Sequence, residues 1–159
     1  MMNKQNEAQV LYNTLCQTLD NMKWGYSKEE DQFVVRTSAI GKDLGMDLFI
    51  KIDADRQVMY LKSPMPFTVP IPSRDKLAKA VILANYTMLN GSFEYDLSDG
   101  YLAFKMVVPY MGSILSEHVC HYMIMVSCQM TDKFNDKFQS LVDCTMTLSE
   151  CATFCRSDN

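Results

Sequence analysis

The side chains with the clearest chemical potential are histidines and cysteines in the C-terminal third of the chain: His118, Cys120, His121, Cys128, Cys144, Cys151 and Cys155. On a helix, ligands three or four residues apart can share a metal ion, so the two histidines, and likewise Cys151 with Cys155, are candidate half-sites for zinc. No Cys-x-x-Cys pair occurs, and reduced cysteines also pack as small hydrophobic side chains. We expect no bound metal or cofactor, and keep a cysteine- or metal-dependent redox or sensing function as the alternative.

A nucleophilic cysteine needs a base within hydrogen-bond reach. Cys120 and His121 are sequence neighbours, and neighbouring side chains on a helix point about 100° apart, which is poor geometry for proton transfer. The aspartates fall mostly in predicted turns, where Asp bonds the local backbone. The chain also has no Gly-rich phosphate loop. The sequence therefore predicts that the protein is not an enzyme and has no catalytic residues.

Length and composition are those of one ordinary globular domain spanning residues 1–159. Of the 159 residues, 48% are hydrophobic and 21% are charged. The net charge of −4 argues against nucleic acid, which needs clustered Lys and Arg, and against anionic membranes. The longest apolar stretch, residues 122–126, has five residues, whereas a bilayer span needs about 20. Since the N-terminus has no signal-peptide pattern, we expect a cytoplasmic protein with reduced thiols.

Hydrophobic periodicity predicts the elements that position these side chains. Apolar spacings of three and four predict a first helix over residues 6–23, capped by Asn6. Period-two alternation predicts five strands, over residues 32–40, 46–53, 58–62, 92–96 and 101–108. Four prolines between residues 64 and 72 predict an extended crossover. A second helix then begins after Ser73 and runs to about Leu89.

A long helical C-terminal segment, residues 113–155, completes the pattern. Apolar residues recur every four positions from Tyr122 to Met146. An unbroken helix over residues 116–154 would be about 58 Å long, but a domain of this size has a radius of gyration of about 15 Å. The helix therefore either breaks or extends onto a partner. The predicted break is Thr145–Ser149, because Thr is a weak helix former.

The predicted order is α-β-β-β-α-β-β-α, an α+β fold whose mostly antiparallel, five-stranded sheet has helices packed on one face. The opposite face then carries apolar side chains without a cover: Val34, Phe49, Val58, Tyr60 and Tyr101. Several such residues together form the kind of patch that marks an interaction surface. These five are the predicted protein-binding or dimer contacts, unless the C-terminal segment folds back over them.

The chain is rich in methionine, with thirteen in all. Unbranched Met side chains either fill gaps in a core or form an adaptable binding surface. We expect core filling for most of them, with Met65 in the crossover and Met111 before the last helix as candidates for a surface role.

The stretch 77–108 predicts a helix, an Asn90-Gly91 turn, a strand, an Asp99-Gly100 turn and a strand. The most distinctive segments are Ala-Asn at 84–85, Asn-Gly-Ser-Phe-Glu-Tyr-Asp at 90–96 and Asp-Gly-Tyr-Leu-Ala-Phe-Lys at 99–105. They resemble the YbjN family of bacteria, whose fold is similar to the class I type III secretion chaperones. The element order extends the resemblance over nearly the whole chain. The methionine content and the Cys-bearing C-terminal segment depart from the family pattern.

The resemblance implies a dimeric protein-binding or regulatory domain, with no catalytic residues to carry over. An exposed sheet edge can accept a strand through backbone hydrogen bonds, while apolar pockets select side chains. The expected function is therefore that of a non-enzymatic, chaperone-like or regulatory domain. We expect it to act as a homodimer and to bind a protein or peptide segment through a sheet edge or an apolar surface.

Overall fold

Alternating hydrophobic side chains produce an antiparallel sheet with helices on one side. The computed structural model describes residues 3–157, so Met1, Met2, Asp158 and Asn159 of the expected 1–159 domain lie outside the described residues. Within that range the chain forms four α-helices and six β-strands. In chain order they are α1 (Lys4–Asn21), β1 (Tyr26–Glu29), β2 (Val34–Ile40), β3 (Gly45–Asp53), β4 (Val58–Pro64), α2 (Arg74–Tyr86), β5 (Ser92–Tyr95), β6 (Leu102–Pro109), α3 (Glu117–Val142) and α4 (Leu148–Ser157).

The strands follow the order β1-β2-β3-β4-β6-β5, and each neighbouring pair is antiparallel. This confirms the predicted α+β class, but the predicted count of five strands is wrong. The additional strand is β1, which the sequence pattern missed. Its Tyr-Ser-Lys-Glu sequence has one half-buried residue followed by three exposed ones, so it lacks the hydrophobic alternation that identifies a strand.

The core lies between the inner face of the sheet and the helices. Ile50 on β3 lies opposite Val35 on β2 and Leu61 on β4, and all three side chains are buried. Helices α1 and α3 pack on β3, and α3 also packs on β4 and β6. At one end of the core, the ring centroid of Phe93 lies 5.4, 5.5 and 5.0 Å from those of Phe104, Phe134 and Phe138.

The first helix and the first predicted strand both begin at residues other than those predicted. Asn3 rather than Asn6 caps α1, because its side chain accepts a hydrogen bond of 2.7 Å from the backbone N–H of Gln5. The strand predicted over residues 32–40 begins only at Val34, because Phe33 adopts the left-handed conformation with φ of 52°. Both asparagines are good cap residues, and period alone could not choose between them.

Helix α2 ends earlier than predicted. It stops at Tyr86 rather than near Leu89, and Gly91 then adopts a φ of +74° where a Cβ would lie 2.3 Å from the Phe104 ring. Ser73 occupies the N-terminal position, but its hydroxyl donates to the carbonyl of Val142 at 3.4 Å instead of capping the helix. Ser73 therefore ties α2 to the end of α3.

The C-terminal segment breaks as predicted and joins the helical layer. Helix α3 ends at Val142 and α4 starts at Leu148, so the break covers residues 143–147 and overlaps the predicted Thr145–Ser149. Helix α4 packs on α2, and the ring centroid of Phe154 lies 5.7 Å from that of Phe134. The segment therefore does not fold back over the opposite face of the sheet. No helix within residues 3–157 has the length and apolar character needed to cross a membrane.

Candidate protein-binding face of the sheet

The buried cysteine thiols are poor candidates for chemistry. Burial raises the pKa of Cys120 and Cys128 to about 11 and that of Cys151 to about 12, so these thiols are protonated at neutral pH and weakly nucleophilic. Cys155 is also buried beside Cys151 on α4. The exposed thiol is Cys144, in the turn before α4, where the Lys76 ammonium lies 3.5 Å from its sulfur.

The two histidines are exposed, whereas Cys120, which lies between them in the sequence, is buried. His118 and His121 are exposed near the start of α3, where they line a groove of about 420 Å³ against the end of α1. Among the residues that the structure describes, no three His, Cys, Asp or Glu side chains are grouped so as to hold a metal ion. The proposed zinc half-sites are therefore not brought together. The cysteine- or metal-dependent alternative gains no support from this geometry.

The strongest candidate for a site is the sheet face opposite the helices. We call it the open face and define it by the outward side chains of β2, β3, β4 and β6, with Tyr101 just before β6. One lateral row across the strands holds Arg36, Phe49, Lys62 and Lys105, and the next holds Val34, Lys51, Tyr60 and Val107. Strand alternation places these residues outward because their sequence neighbours, such as Ile50 and Leu61, fill the core.

Four of the five predicted contact residues are accessible on this face. Phe49, Val58 and Tyr60 are half-buried, and Tyr101 is 40% exposed. The expectation that Val34 is exposed is wrong, because only 2% of its surface is accessible. The reason is the unpredicted strand β1. It makes β2 an interior strand, so Val34 lies between a residue of β1 and a residue of β3.

An aromatic pair occupies the centre of the open face. The ring centroids of Phe49 and Tyr60 lie 6.1 Å apart, a separation typical of favourable aromatic contacts. The Arg36 guanidinium lies over the Phe49 ring at 4.7 Å from its centroid, and its Nε also donates to Glu29 at 3.1 Å. Phe49 therefore has one ring face covered by a cation and an aromatic neighbour at its side.

Ion pairs border this aromatic pair. Glu94 on β5 lies 2.5 Å from the Lys62 ammonium and 2.9 Å from that of Lys105. Burial alone would raise the pKa of Glu94, but the hydrogen bonds from the two lysines outweigh it and hold the pKa below its ordinary value. The hydrogen bond to Glu94 in turn raises the pKa of Lys62. Glu94 and Lys62 are therefore both charged at neutral pH.

Tyr101 separates two shallow cavities at the margin of the open face. One, of about 390 Å³, is lined by the crossover residues 65–68 and Asp99. The other, of about 450 Å³, is lined by Lys62, Glu94 and residues 95–97. Of the two methionines predicted as surface candidates, Met65 is buried and Met111 is exposed. The cavities offer apolar and charged walls next to each other, as side-chain pockets in peptide-binding surfaces do.

The two edges of the sheet differ in accessibility. Strand β5 is sealed at its centre by Asn85, whose amide accepts from the Phe93 N–H at 2.7 Å and donates to the Phe93 carbonyl at 3.0 Å. Within residues 3–157 no side chain covers β1 in this way, but β1 is four residues long and carries a Lys28–Glu30 ion pair at its end. In the sequence, Asn85 is distinctive only as part of the Ala-Asn segment at 84–85. Its role depends on a contact that local pattern does not reveal.

Taken together, these elements define an α+β domain in which helices cover one face of an antiparallel sheet and leave the other open. The chain belongs to the YbjN family, described as "putative bacterial sensory transduction regulator", whose model matches residues 12–140. This confirms the family that the resemblance indicated. No curated protein matches the chain.

Solved structures share the fold, among them two that cover most of this chain. The first is the crystal structure of YbjN, a "putative transcription regulator from E. coli", at 13% identity and a TM-score of 0.59, covering 79% of this chain and 92% of that one. The second is the HopA1–SchA chaperone–effector complex, at 14% identity and a TM-score of 0.51, covering 85% of this chain and 95% of that one. At these identities the likeness concerns the fold alone.

Proposed function

We propose that this chain is a non-enzymatic protein-binding domain, chaperone-like or regulatory, that holds an extended segment of another protein on its open face. The observation that carries the proposal is the Phe49–Tyr60 pair at the centre of a sheet face that the helices leave uncovered. The family description as a regulator and the fold shared with a chaperone–effector complex support the same class of function.

The energetics of the open face favour a partner with apolar side chains. Fully burying one large apolar side chain is worth roughly 1.5–3 kcal/mol, and Phe49, Tyr60 and Tyr101 are each only partly covered. Because Asn85 occupies the β5 edge, backbone pairing with a partner strand is left to β1. The apolar side chains of the segment therefore lie on the open face. Backbone pairing, where a partner strand extends the sheet, takes place at β1.

Dimerisation is the second part of the proposal. Ile82 and Tyr86 on α2 and Leu89 in the turn after it are 68%, 90% and 94% exposed, and they recur at helical spacing. This apolar stripe belongs to the helical layer, so two copies associating through it leave both open faces free. The proposal places the dimer in the cytoplasm, whose reducing conditions suit the six free thiols.

Site-specific photocross-linking in cells tests the binding face. A photoreactive phenylalanine analogue replaces Tyr60 in one variant and Gln17, exposed on α1, in the control variant. We expect the variant at position 60 to cross-link to discrete segments of other proteins that the control does not capture. Each captured segment, synthesised as a peptide, then binds the wild type with an affinity that Phe49→Asp lowers by about tenfold, about 1.4 kcal/mol.

Two cross-linking results would contradict the proposal. One is equal capture from both positions, which would make the cross-links non-specific. The other is cross-linking from position 60 only to a second copy of this chain, which would make the open face the contact between two copies. Peptides whose binding does not respond to Phe49→Asp would likewise remove the aromatic pair from the site.

A further inference from the structure

The centre of the open face carries a surplus of positive charge, although the chain as a whole is acidic. Arg36, Lys62 and Lys105 lie in the same lateral row as Phe49, and Lys51 lies opposite Tyr60 in the next row. The four side chains surround the aromatic pair. Outward carboxylates such as Asp47 and Asp53 lie at the ends of β3 instead. The centre of the open face is therefore basic and aromatic, with acidic residues at its rim.

The ion pairs within the chain neutralise only half of this charge. Glu29 pairs with Arg36, and the single carboxylate of Glu94 is shared by Lys62 and Lys105. Among residues 3–157, Lys51 pairs with no carboxylate. Four cations and two carboxylates leave two surplus positive charges at the centre of the open face, inside the rim that holds Asp47 and Asp53, in a chain whose net charge is −4. The remaining surface is correspondingly more acidic.

This distribution also has a structural cost. Lys62 and Lys105 are directly opposite each other on β4 and β6, and like charges in that position destabilise a sheet. Glu94 offsets their repulsion, yet each ammonium has three donors and shares one carboxylate with the other. Donors therefore remain for a negatively charged group arriving from solvent.

The geometry favours a polypeptide over nucleic acid as the source of that negative charge. Single-stranded nucleic acid binds sheets by stacking bases on exposed aromatic rings. Here the Arg36 guanidinium covers one face of the Phe49 ring, and Tyr60 lies against it in a tilted arrangement. Two surplus charges are also few for binding a phosphate backbone.

We propose that the segment bound on the open face is acidic, an inference that rests on the proposed function. Its carboxylates contact Lys51, Lys62 and Lys105, and its apolar side chains cover Phe49 and Tyr60. Side chains on one side of an extended segment recur every second residue, about 6.7 Å apart, and neighbouring strands of the sheet lie about 4.8 Å apart. Carboxylates and apolar side chains at alternate outward positions therefore reach both the lysines and the aromatic pair.

Selection from a displayed library of random peptides tests the charge of the partner without knowledge of its sequence. A peptide of about 12 residues spans about 40 Å when extended, enough to cross the open face. The library is selected on the wild type, on Lys51→Glu, and on Lys42→Glu as the matched control, since Lys42 is exposed beside α3. We expect the pools from wild type and control to be more negative than the input by about two charges per peptide, and this shift to be absent for Lys51→Glu.

Individual selected peptides give the second measurement. We expect their affinity to fall about fivefold between about 50 and about 300 mM NaCl, because salt screens surface charges. We also expect Lys51→Gln, which removes the charge without introducing repulsion, to weaken binding where Lys42→Gln does not. Oligothymidylate is measured in parallel. If it bound more tightly than the selected peptides and depended on Lys51, a nucleic acid would replace the acidic peptide.

The outcomes separate this inference from the proposed function. Neutral or basic pools whose binding is lost in Phe49→Asp would overturn the acidic partner and leave the binding face in place. Failure to enrich any pool that depends on Phe49 would overturn the proposed function itself.

Discussion

The Asn85 side chain satisfies backbone hydrogen-bonding groups at an edge of the sheet. An exposed edge strand presents unpaired N–H and C=O groups that invite another chain to pair. The Asn85 amide has one donor group and one acceptor, and it satisfies both groups of Phe93 in the way a neighbouring strand would. The free edge of β5 is thus closed from within the chain.

We predict that Asn85→Ala lowers the free energy of unfolding by about 1–3 kcal/mol, because two partly buried backbone groups lose their partner. Urea denaturation measures the change. The control is Asn90→Ala, which removes an exposed hydrogen bond of 2.5 Å to Tyr122 and is expected to cost no more than about 0.5 kcal/mol. Equal losses in the two variants would mean that the edge contact has no special importance.

Glu94 makes the stability of the open face depend on pH. Its folded-state pKa lies below the ordinary value of 4.5, through its hydrogen bonds to Lys62 and Lys105. A lowered pKa stabilises the fold above the unfolded-state value, and this stabilisation is lost as the pH falls through the folded-state value. We therefore predict that Glu94→Gln destabilises the protein at pH 7 but has little effect at about pH 3. A loss independent of pH, measured by urea denaturation at both values, would contradict the electrostatic explanation.

Helices, turns and strands were predicted correctly where the sequence of the element itself, or its length, determines its structure. The break after α3 was predicted because a helix of that length would not suit the domain, and the Asn90-Gly91 turn because few other residues tolerate a positive φ. Strand β1 was missed because its form is imposed by pairing with β2 rather than by its polar sequence. Because β1 was missed, Val34 was wrongly expected to be exposed.

Helix α3 also carries a feature that no periodicity analysis identifies. Ser127, Thr131 and Asn135 recur every four residues along its buried face and are fully buried. The Ser127 and Thr131 hydroxyls and the Asn135 amide nitrogen have no hydrogen-bond partner among the described residues. The hydroxyl of Ser63 on β4, the strand beneath α3, likewise has no hydrogen-bond partner among the described residues. The contact between α3 and the sheet is therefore weakened by polar groups in an apolar layer.

We predict that Thr131→Val leaves the free energy of unfolding unchanged or raises it by up to about 1 kcal/mol, because it removes an unsatisfied buried hydroxyl. The matched control is Thr18→Val on α1, a buried Thr whose hydroxyl donates to the Thr14 carbonyl at 2.8 Å. That variant is expected to lose about 1 kcal/mol. A loss at Thr131 as large as that at Thr18, measured by thermal and urea unfolding, would show that the Thr131 hydroxyl is hydrogen-bonded in solution.

For the whole molecule, the sequence predicted which face of the sheet is exposed but not its electrostatic character. Alternation alone places Phe49 and Tyr60 outward. The basic surroundings depend on the register that brings Arg36, Lys62 and Lys105 into one row. Register between strands distant in sequence is not encoded locally. The apolar stripe on α2 is not evident from the sequence because both the buried and the exposed side of this helix carry apolar residues.

The open face and the α2 stripe are both apolar surfaces that could form a dimer. Substitutions in the two surfaces are expected to affect the dimer differently. If two copies pair through the stripe, Tyr86→Asp places a charge in an apolar interface and dissociates the dimer, whereas Phe49→Asp leaves it intact. Light scattering over a concentration series under reducing conditions measures this, with a wild-type mass of twice 18.2 kDa expected. The reverse pattern would assign the open face to the dimer, so that the partner segment would have to bind elsewhere. A wild-type monomer at every concentration would remove dimerisation from the proposal and leave the α2 stripe without an occupant.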